Sequence, residues 1–505
     1  VVAFMSNRVP VGVVALGVAL SLWATGVLSL GQAFAGFGDP TVLFIAALFV
    51  VSEALDATGV TAWAGQQVLS RGGRSRTSLV TVIGLLVAVL TALISVNGAV
   101  AALIPVVVVV AVRAGIPAGQ LMMPLAFCAH AGSMLLLTGT PVNIIVSEAA
   151  LDAGARPFGF FEFALVGLPL LVGTVGIIVV FGSRLLPSGT GAMLSADVIS
   201  HAKALRAQYS LADDAELVGR RRGFSEVLVP PRSELIGQHV FAGQVTESGD
   251  LVVLAVQRGG EDVSGEDVRL RAGDTLLLGG TWDDLEQHTA GPDVVVVDRP
   301  AALRRSVPLG VGAKRAIAIL AGMVLLLATG VVPPAVAGLV AAVAIVVTGV
   351  LKPTQAYRAI SWTTVVLVAG MMPLSTAFIS TGTADLIASG LLRVTGQASP
   401  TLALLVICVL TVVLGQLISN TATVLIMVPI ATVLAADIHV SVLPFLMALT
   451  VAGAASFLTP VATAANTMVM EPGGYRFTDY WKLGLPLLLL FLAVAVFWVP
   501  LIWRF

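Results

Sequence analysis

Charge is nearly absent from two long parts of this chain and crowded between them. Of its 55 Asp, Glu, Lys and Arg residues, 30 fall between positions 185 and 313, and the flanks read as apolar runs of about twenty residues, the length that spans a bilayer. In hydrocarbon every backbone N–H and C=O needs a partner within the protein, which leaves helices or closed barrels as spanning structures. With 57% hydrophobic residues, 11% charged residues and a mean hydropathy of +1.00, the flanks predict an all-α polytopic membrane protein. Two membrane domains, 1–184 and 314–505, enclose a small aqueous α/β insert, 185–313. Membrane lipids are therefore partners, and a net charge of −1 argues against nucleic acid. Cys128 and Cys408 lie in apolar runs and suit core packing rather than a disulfide or a zinc site. No Gly-x-Gly-x-x-Gly, P-loop, Cys/His cluster or catalytic constellation appears, so the reading is of a transporter without a resident cofactor. Residues 9–31 after Arg8 imitate a signal peptide, but the run is too long for one and reads as a retained span.

The two flanks repeat one another. Ala33-Phe34 and Thr41-Val42 return as Ala356-Tyr357 and Thr364-Val365, and Ala54, Thr58 and Gly59 as Ala377, Thr381 and Gly382. Ser95 and Pro105 return as Ser419 and Pro429, and Thr140-Pro141-Val142 as Thr459-Pro460-Val461. Phe160, Glu162, Gly167-Leu168-Pro169 return as Phe477, Asp479, Gly484-Leu485-Pro486. Span 314–331 lacks a counterpart upstream of residue 9, so the first copy reads as one span short.

Placing Arg8, Arg71, Arg74, Arg76, Arg113 and Arg184 in the cytoplasm orients the copies oppositely. Segment 9–31 then runs outward, 40–66 returns, 77–112 is a re-entrant hairpin, 120–151 goes out and 160–183 comes back. The insert is cytoplasmic. In the second copy 314–331 goes out, 333–350 returns, 361–388 goes out, 400–436 is re-entrant from the opposite face, 441–470 returns and 482–503 ends outside. Arg393 and Arg504 fall on the minority side. The prediction is an inverted repeat with two re-entrant hairpins.

Four polar breaks interrupt these apolar runs, paired across the repeat. Ser95, Asn97 and Gly98 break the first hairpin, and Ser419, Asn420 and Thr421 the second. Thr138, Gly139, Thr140, Pro141 and Asn143 break the span after the first hairpin; Thr459, Pro460, Ala462, Thr463 and Asn466 break its counterpart. Proline frees a backbone carbonyl, Ser, Thr and Asn add oxygens, and helix N-termini favour an anion, so the breaks predict one shared site for a small anionic substrate and cations. Among ionisable residues in the spans, Glu53, Asp56, His130 and Glu148 are further candidates.

With these motifs in view, the chain resembles the divalent anion:sodium symporter family, which comprises dicarboxylate, citrate and sulfate permeases. The resemblance covers roughly 33–183 and 314–500 and centres on Ser419-Asn420-Thr421. It implies two sodium sites, for which Ser95, Asn97, Gly139, Ser419, Asn420 and Ala462 are the candidates, an anion between the hairpin tips, a homodimer and elevator-type alternating access. The first hairpin departs from the family's Ser/Asn-Asn-Thr pattern, with Val96 for Asn and Asn97 for Thr. Within the insert, 224–287 resembles the C-terminal domain of TrkA-type (RCK) potassium-uptake regulators. The match rests on Ser233-Glu234-Leu235-Ile236-Gly237, the strand-like Leu251 to Gln257 and the Arg271-Ala272-Gly273-Asp274 turn. It implies regulation, by a small ligand or by pairing of domains. Proton-coupled or arsenite-type permeation, and a ligand-gated cation or potassium component, remain the alternatives.

Overall fold

The computed structural model describes residues 9–71, 75–187, 222–246, 248–259, 261–263, 267–297, 300, 303, 309–383, 386, 390 and 399–505. Arg74, Arg220, Arg221, Arg393 and most of the linker 187–223 lie outside the described residues. Two compact units emerge, one drawing on 1–53, 70–193 and 318–505, the other on 54–69 with 194–317.

In the first half the helices are α1 (Val11–Ala24), α2 (Leu30–Phe34), α3 (Pro40–Ala57), α4 (Val60–Arg71), α5 (Arg76–Leu93), α6 (Val96–Ala114), α7 (Met122–Gly132), α8 (Pro141–Asp152) and α9 (Ala164–Leu185). Among the described residues Leu30–Ala57, Arg76–Leu93, Ala164–Leu185, Asn420–Asp437 and Phe477–Ile502 are long and apolar enough to cross a membrane. The expected span 40–66 is corrected: α3 stops at Ala57 because Gly59 takes the left-handed conformation (φ +69°) and Thr58 Oγ1 turns back to donate to Ala54 O.

The second unit carries the insert. Its sheet, in the order β4-β3-β6-β1-β7, comprises β1 (Arg222–Leu228), β3 (Leu251–Arg258), β4 (Glu261–Asp262), β6 (Thr275–Thr281) and β7 (Val295–Val296), all antiparallel; β2 (His239–Val240) pairs with β5 (Val268–Arg269). The strand-like runs at 226–229, 251–256 and 275–278 thus form β1, β3 and β6. Thr281 caps α10 (Trp282–His288) by accepting from Asp284 N. Phe224, Val227, Ala255, Leu277, Trp282 and Leu285 fill the core.

In the second half the helices are α11 (Ala313–Thr329), α12 (Pro334–Val347), α13 (Pro353–Ala359), α14 (Trp362–Ser380), α15 (Pro400–Gly415), α16 (Asn420–Asp437), α17 (Val442–Ala454), α18 (Ala464–Met470) and α19 (Tyr480–Ala493), which runs on through a π turn to α20 (Val499–Ile502). The expected span 361–388 is shorter too. Helix α14 ends at Ser380, where Gly382 (φ +66°) and the Thr381 Oγ1 bond to Ala377 O repeat the termination seen at Gly59 and Thr58.

Close backbone contacts hold the first unit together, as expected where apolar side chains gain nothing by leaving lipid. A Cβ at Gly132 would stand 2.3 Å from Ala88 Cα, so α7 lies directly on α5. The repeated Gly-Leu-Pro motifs have one shared cause. A Cβ at Gly167 would stand 2.3 Å from Met134 O, and one at Gly484 would stand 2.2 Å from Phe457 O, each seating a long helix on the backbone of a broken span.

Two outcomes follow. Gly167→Val and Gly484→Val should each lower the unfolding temperature of the detergent-solubilised protein by several degrees, since overpacking a filled contact costs about 1–3 kcal/mol. In the insert, burial raises the Asp274 carboxyl, but the Arg258 guanidinium and the Arg271 N–H bonded to it prevail and hold it below the usual carboxylate range. The stability from this pair is full above the unfolded carboxylate value and fades as pH falls through the lower folded value. Hydrogen exchange in β3 and β6, corrected for intrinsic rate, should therefore accelerate below about pH 4, and Arg258→Gln, which removes what holds the folded value down, should shrink that acid acceleration relative to neutral pH.

Candidate functional site

All four breaks meet at one cavity of about 740 Å³ in the first unit. Ser95 is the N-cap of α6, Thr140 of α8, Ser419 of α16 and Thr463 of α18, and all four line it. Each cap side chain accepts from its own helix: Ser95 from Gly98 N, Thr140 from Val142 N, Ser419 from Ala422 N and Thr463 from Asn466 N. Four helix N-termini therefore open on one space.

Two asparagines make the broken spans possible. After α7 the chain passes Ser133 to Leu136, makes one turn of 3-10 helix over Leu137–Gly139, extends at Thr140 (φ −153°, ψ 148°) and enters α8. Asn143 Nδ2 reaches back to donate to Ser133 O (3.0 Å) and Leu136 O (2.8 Å). In the second half Asn466 Nδ2 donates to Ser456 O (2.7 Å) and Thr459 O (3.1 Å), beside a 3-10 turn at Pro460–Ala462 and an extended Thr463 (φ −145°, ψ 152°). Both asparagines have no exposed surface. They supply bonds that an unbroken helix would have made along its own ladder.

These bonds correct the register of the repeat. Asn143 pairs with Asn466, Ser133 with Ser456 and Thr140 with Thr463, an offset of 323. Matching the Thr-Pro dipeptides set Thr140 against Thr459, one turn early. The prolines do different work: Pro141 is the first residue of α8, whereas Pro460 opens the 3-10 turn before α18.

Of the sixteen substrate or ion candidates, Ser95, Asn97, Gly139, Thr140, Pro141, Ser419, Asn420, Thr421, Ala462 and Thr463 form part of the wall. Six do not. Asn143 and Asn466 tie the breaks, Thr138 Oγ1 donates to Ala92 O, Gly98 N donates to the Ser95 cap, Pro460 O accepts from Thr467 Oγ1, and Thr459 Oγ1 is buried without a hydrogen-bond partner. His130 is on the wall. Glu148 is not; with Asp152 it lines a separate cavity of about 550 Å³. Glu53 and Asp56 are absent from both walls, Asp56 Oδ1 accepting from Thr61 Oγ1.

Sequence reasoning missed Ser361, Thr363 and Thr364 at the head of α14, which also line the cavity, although this cluster of hydroxyls was visible in an apolar run. It missed Ser456, whose Oγ donates to Asn420 Oδ1 (2.5 Å). No Asp, Glu, Lys or Arg lies on the wall among the described residues.

Asn143→Leu and Asn466→Leu each leave two carbonyls of a broken span unpaired, at about 1–3 kcal/mol per group. Both should lower the unfolding temperature in detergent clearly more than Thr421→Val on the wall, Asn466→Leu the further of the two because it also takes the acceptor from His130.

The chain matches the citrate transporter family (CitMHS) over residues 1–452 and again over 385–505. It is 30% identical to the uncharacterized transporter YfbS of Escherichia coli (strain K12) over 602 aligned positions, covering 100% of this chain and 98% of the relative. It is 25% identical to sodium/sulfate cotransporter 1 of Chlamydomonas reinhardtii across 57% of this chain and 30% of that one. Its fold is similar to the crystal structure of the YdaH transporter of Alcanivorax borkumensis, with a TM-score of 0.52 at 16% identity, covering 96% and 89% of the two chains. The chain belongs to the citrate transporter family, and is a multi-pass secondary transporter of anions rather than an enzyme.

Proposed function

We propose that this transporter couples sodium to the movement of a small divalent oxyanion, a dicarboxylate or sulfate, held in the cavity where the four breaks meet. The observation that carries the reading is the convergence of the helix N-termini capped by Ser95, Thr140, Ser419 and Thr463 on a wall that has no Lys or Arg among its described residues. Each terminus favours an anion by about 0.3–1 kcal/mol, and by ~2 when partly buried. Bringing a carboxylate-like charge out of water costs several kcal/mol, twice over for a dianion. Dipoles alone fall short, and cations bound alongside the anion make up the difference.

The cation sites in this reading are Ser95, Asn97 and Gly139 on one side, and Ser419, Asn420 and Ala462 on the other, all on the wall. Hydroxyl, amide and backbone oxygens are the hard ligands an alkali cation takes. The names of the citrate transporter family and of the Chlamydomonas sodium/sulfate cotransporter are in keeping with such a substrate and coupling ion.

In the same proposal α5–α6 and α15–α16 are re-entrant hairpins of an inverted repeat, the chain works as a homodimer by elevator-type alternating access in the cell membrane, and the insert is a cytoplasmic TrkA C-terminal-like domain that regulates it through a small ligand. The five-stranded antiparallel sheet with its capped helix supports the last point.

In proteoliposomes, an inward sodium gradient should drive sulfate, succinate or citrate above equilibrium, and replacing sodium by choline should cut uptake at least tenfold. Asn420→Ala should raise the sodium concentration needed for half-maximal uptake by a similar factor. Uptake indifferent to sodium, lithium and proton gradients alike would overturn symport, and currents of thousands of ions per second would point to a channel.

A further inference from the structure

Among the described residues of the cavity wall, His130 is the one ionisable side chain. It is 3% exposed, and its Nε2 lies 3.2 Å from both Asn466 Oδ1 and Thr463 Oγ1, in the other half of the chain. Its ring also stands edge-on to Phe457, 5.8 Å between centroids.

The hydrogen on that nitrogen can be assigned. Asn466 Nδ2 donates to two carbonyls, so turning the amide over would set Oδ1 against two carbonyl oxygens. Oδ1 is therefore an acceptor, and His130 must meet it with Nε2–H. Thr463 Oγ1 accepts from Asn466 N and flanks the same hydrogen. Neutral His130 is the Nε2–H tautomer, and a second proton can go only to Nδ1. Protonation would thus leave the bridge between the halves intact and give the wall a positive charge it otherwise lacks.

We propose that His130 is the proton-binding residue of the transport cavity, taking a proton on Nδ1 when the oxyanion binds. The inference rests on the anion-transport reading above and adds a second coupled cation to it. The proton site belongs to one half alone. Asn143 repeats both donations of Asn466, but at the repeat offset of 323 the counterpart of His130 is Gly453, and Asn143 Oδ1 is buried without a hydrogen-bond partner.

Other titratable groups on the elements around α7 are engaged elsewhere. Arg76 at the head of α5 donates to Gln120 Oε1 and Ile178 O. Tyr475 donates to Gly119 O and Tyr480 to Asn466 O, while Lys482 pairs with Asp479. Cys128 packs at Gly84, Glu471 follows α18, Arg184 lies in the last turn of α9, and Glu148 and Asp152 line the other cavity. Among the described residues none of these is hydrogen-bonded or ion-paired to the imidazole.

The test uses the full chain with isotope-labelled histidine in detergent, His130 being assigned by its loss in His130→Gln, which keeps an N–H donor and cannot titrate. At neutral pH, adding sodium sulfate, with sodium chloride as control, should shift the His130 resonances toward imidazolium while Nε2–H persists. In proteoliposomes the apparent KM for sulfate should fall by up to about tenfold per unit as pH drops from 8 to 6, the limit for one linked proton. Sulfate is a dianion throughout that range, so the slope belongs to the protein. His130→Gln should flatten it to under about twofold per unit, against that one-proton limit. An unchanged His130 spectrum in protein that sulfate stabilises thermally, or a wild-type slope in His130→Gln, overturns the inference and leaves the transport reading standing. Failure of sulfate, succinate and citrate alike to stabilise the protein or to be taken up overturns the reading, and the inference with it.

Discussion

Backbone in hydrocarbon has no water to turn to, and every interruption of a helix there leaves carbonyls and amides to be satisfied by the chain itself. The broken spans at 133–140 and 456–463 meet this demand in the same way. One asparagine in each reaches back ten and seven residues to two carbonyls, which lets the next helix begin at the cavity wall. The rest of the site inherits its geometry from these bonds. Gly139 has no side chain because a Cβ would stand 2.2 Å from Ser133 O, one of the carbonyls Asn143 holds.

The two units handle charge differently. In the insert, Asp274 is stabilised by a full counter-charge, with Arg258 donating to both of its oxygens. In the proposed site fixed dipoles share that role with bound cations, and the described wall carries hydroxyls, amides and helix ends rather than Lys or Arg. A dipole at the end of a helix needs no counter-ion of its own when the site is empty, whereas a buried guanidinium would.

Much of this was legible in the sequence, because duplication leaves a periodic trace and polar residues are conspicuous in apolar runs. The four breaks and the three main strands of the insert could be placed from residue types alone, whereas the Thr-Gly pairs were seen to repeat but not to end their helices. Register was harder. Thr140-Pro141 and Thr459-Pro460 look alike as letters, yet the hydrogen bonds of Asn143 and Asn466 put Thr140 opposite Thr463. Nor could residue types separate the oxygens that face the cavity from those that hold it open. Thr138, Asn143 and Asn466 belong to the same motifs as Thr140 and Thr463, and only the fold of each break decides which way a side chain is spent. The hydroxyls at 361–364 were missed because the bend between α13 and α14 that carries them has no paired polar motif to mark it.

The seats under Gly167 and Gly484 carry a mechanical consequence. Side chains between two elements act as cushions, since rotamers absorb small displacements before a neighbour feels them. Here helix backbone rests on the backbone of a broken span with no cushion between. Any swing of α9 or α19 is therefore handed without play to the peptide beside Ser133 or Ser456.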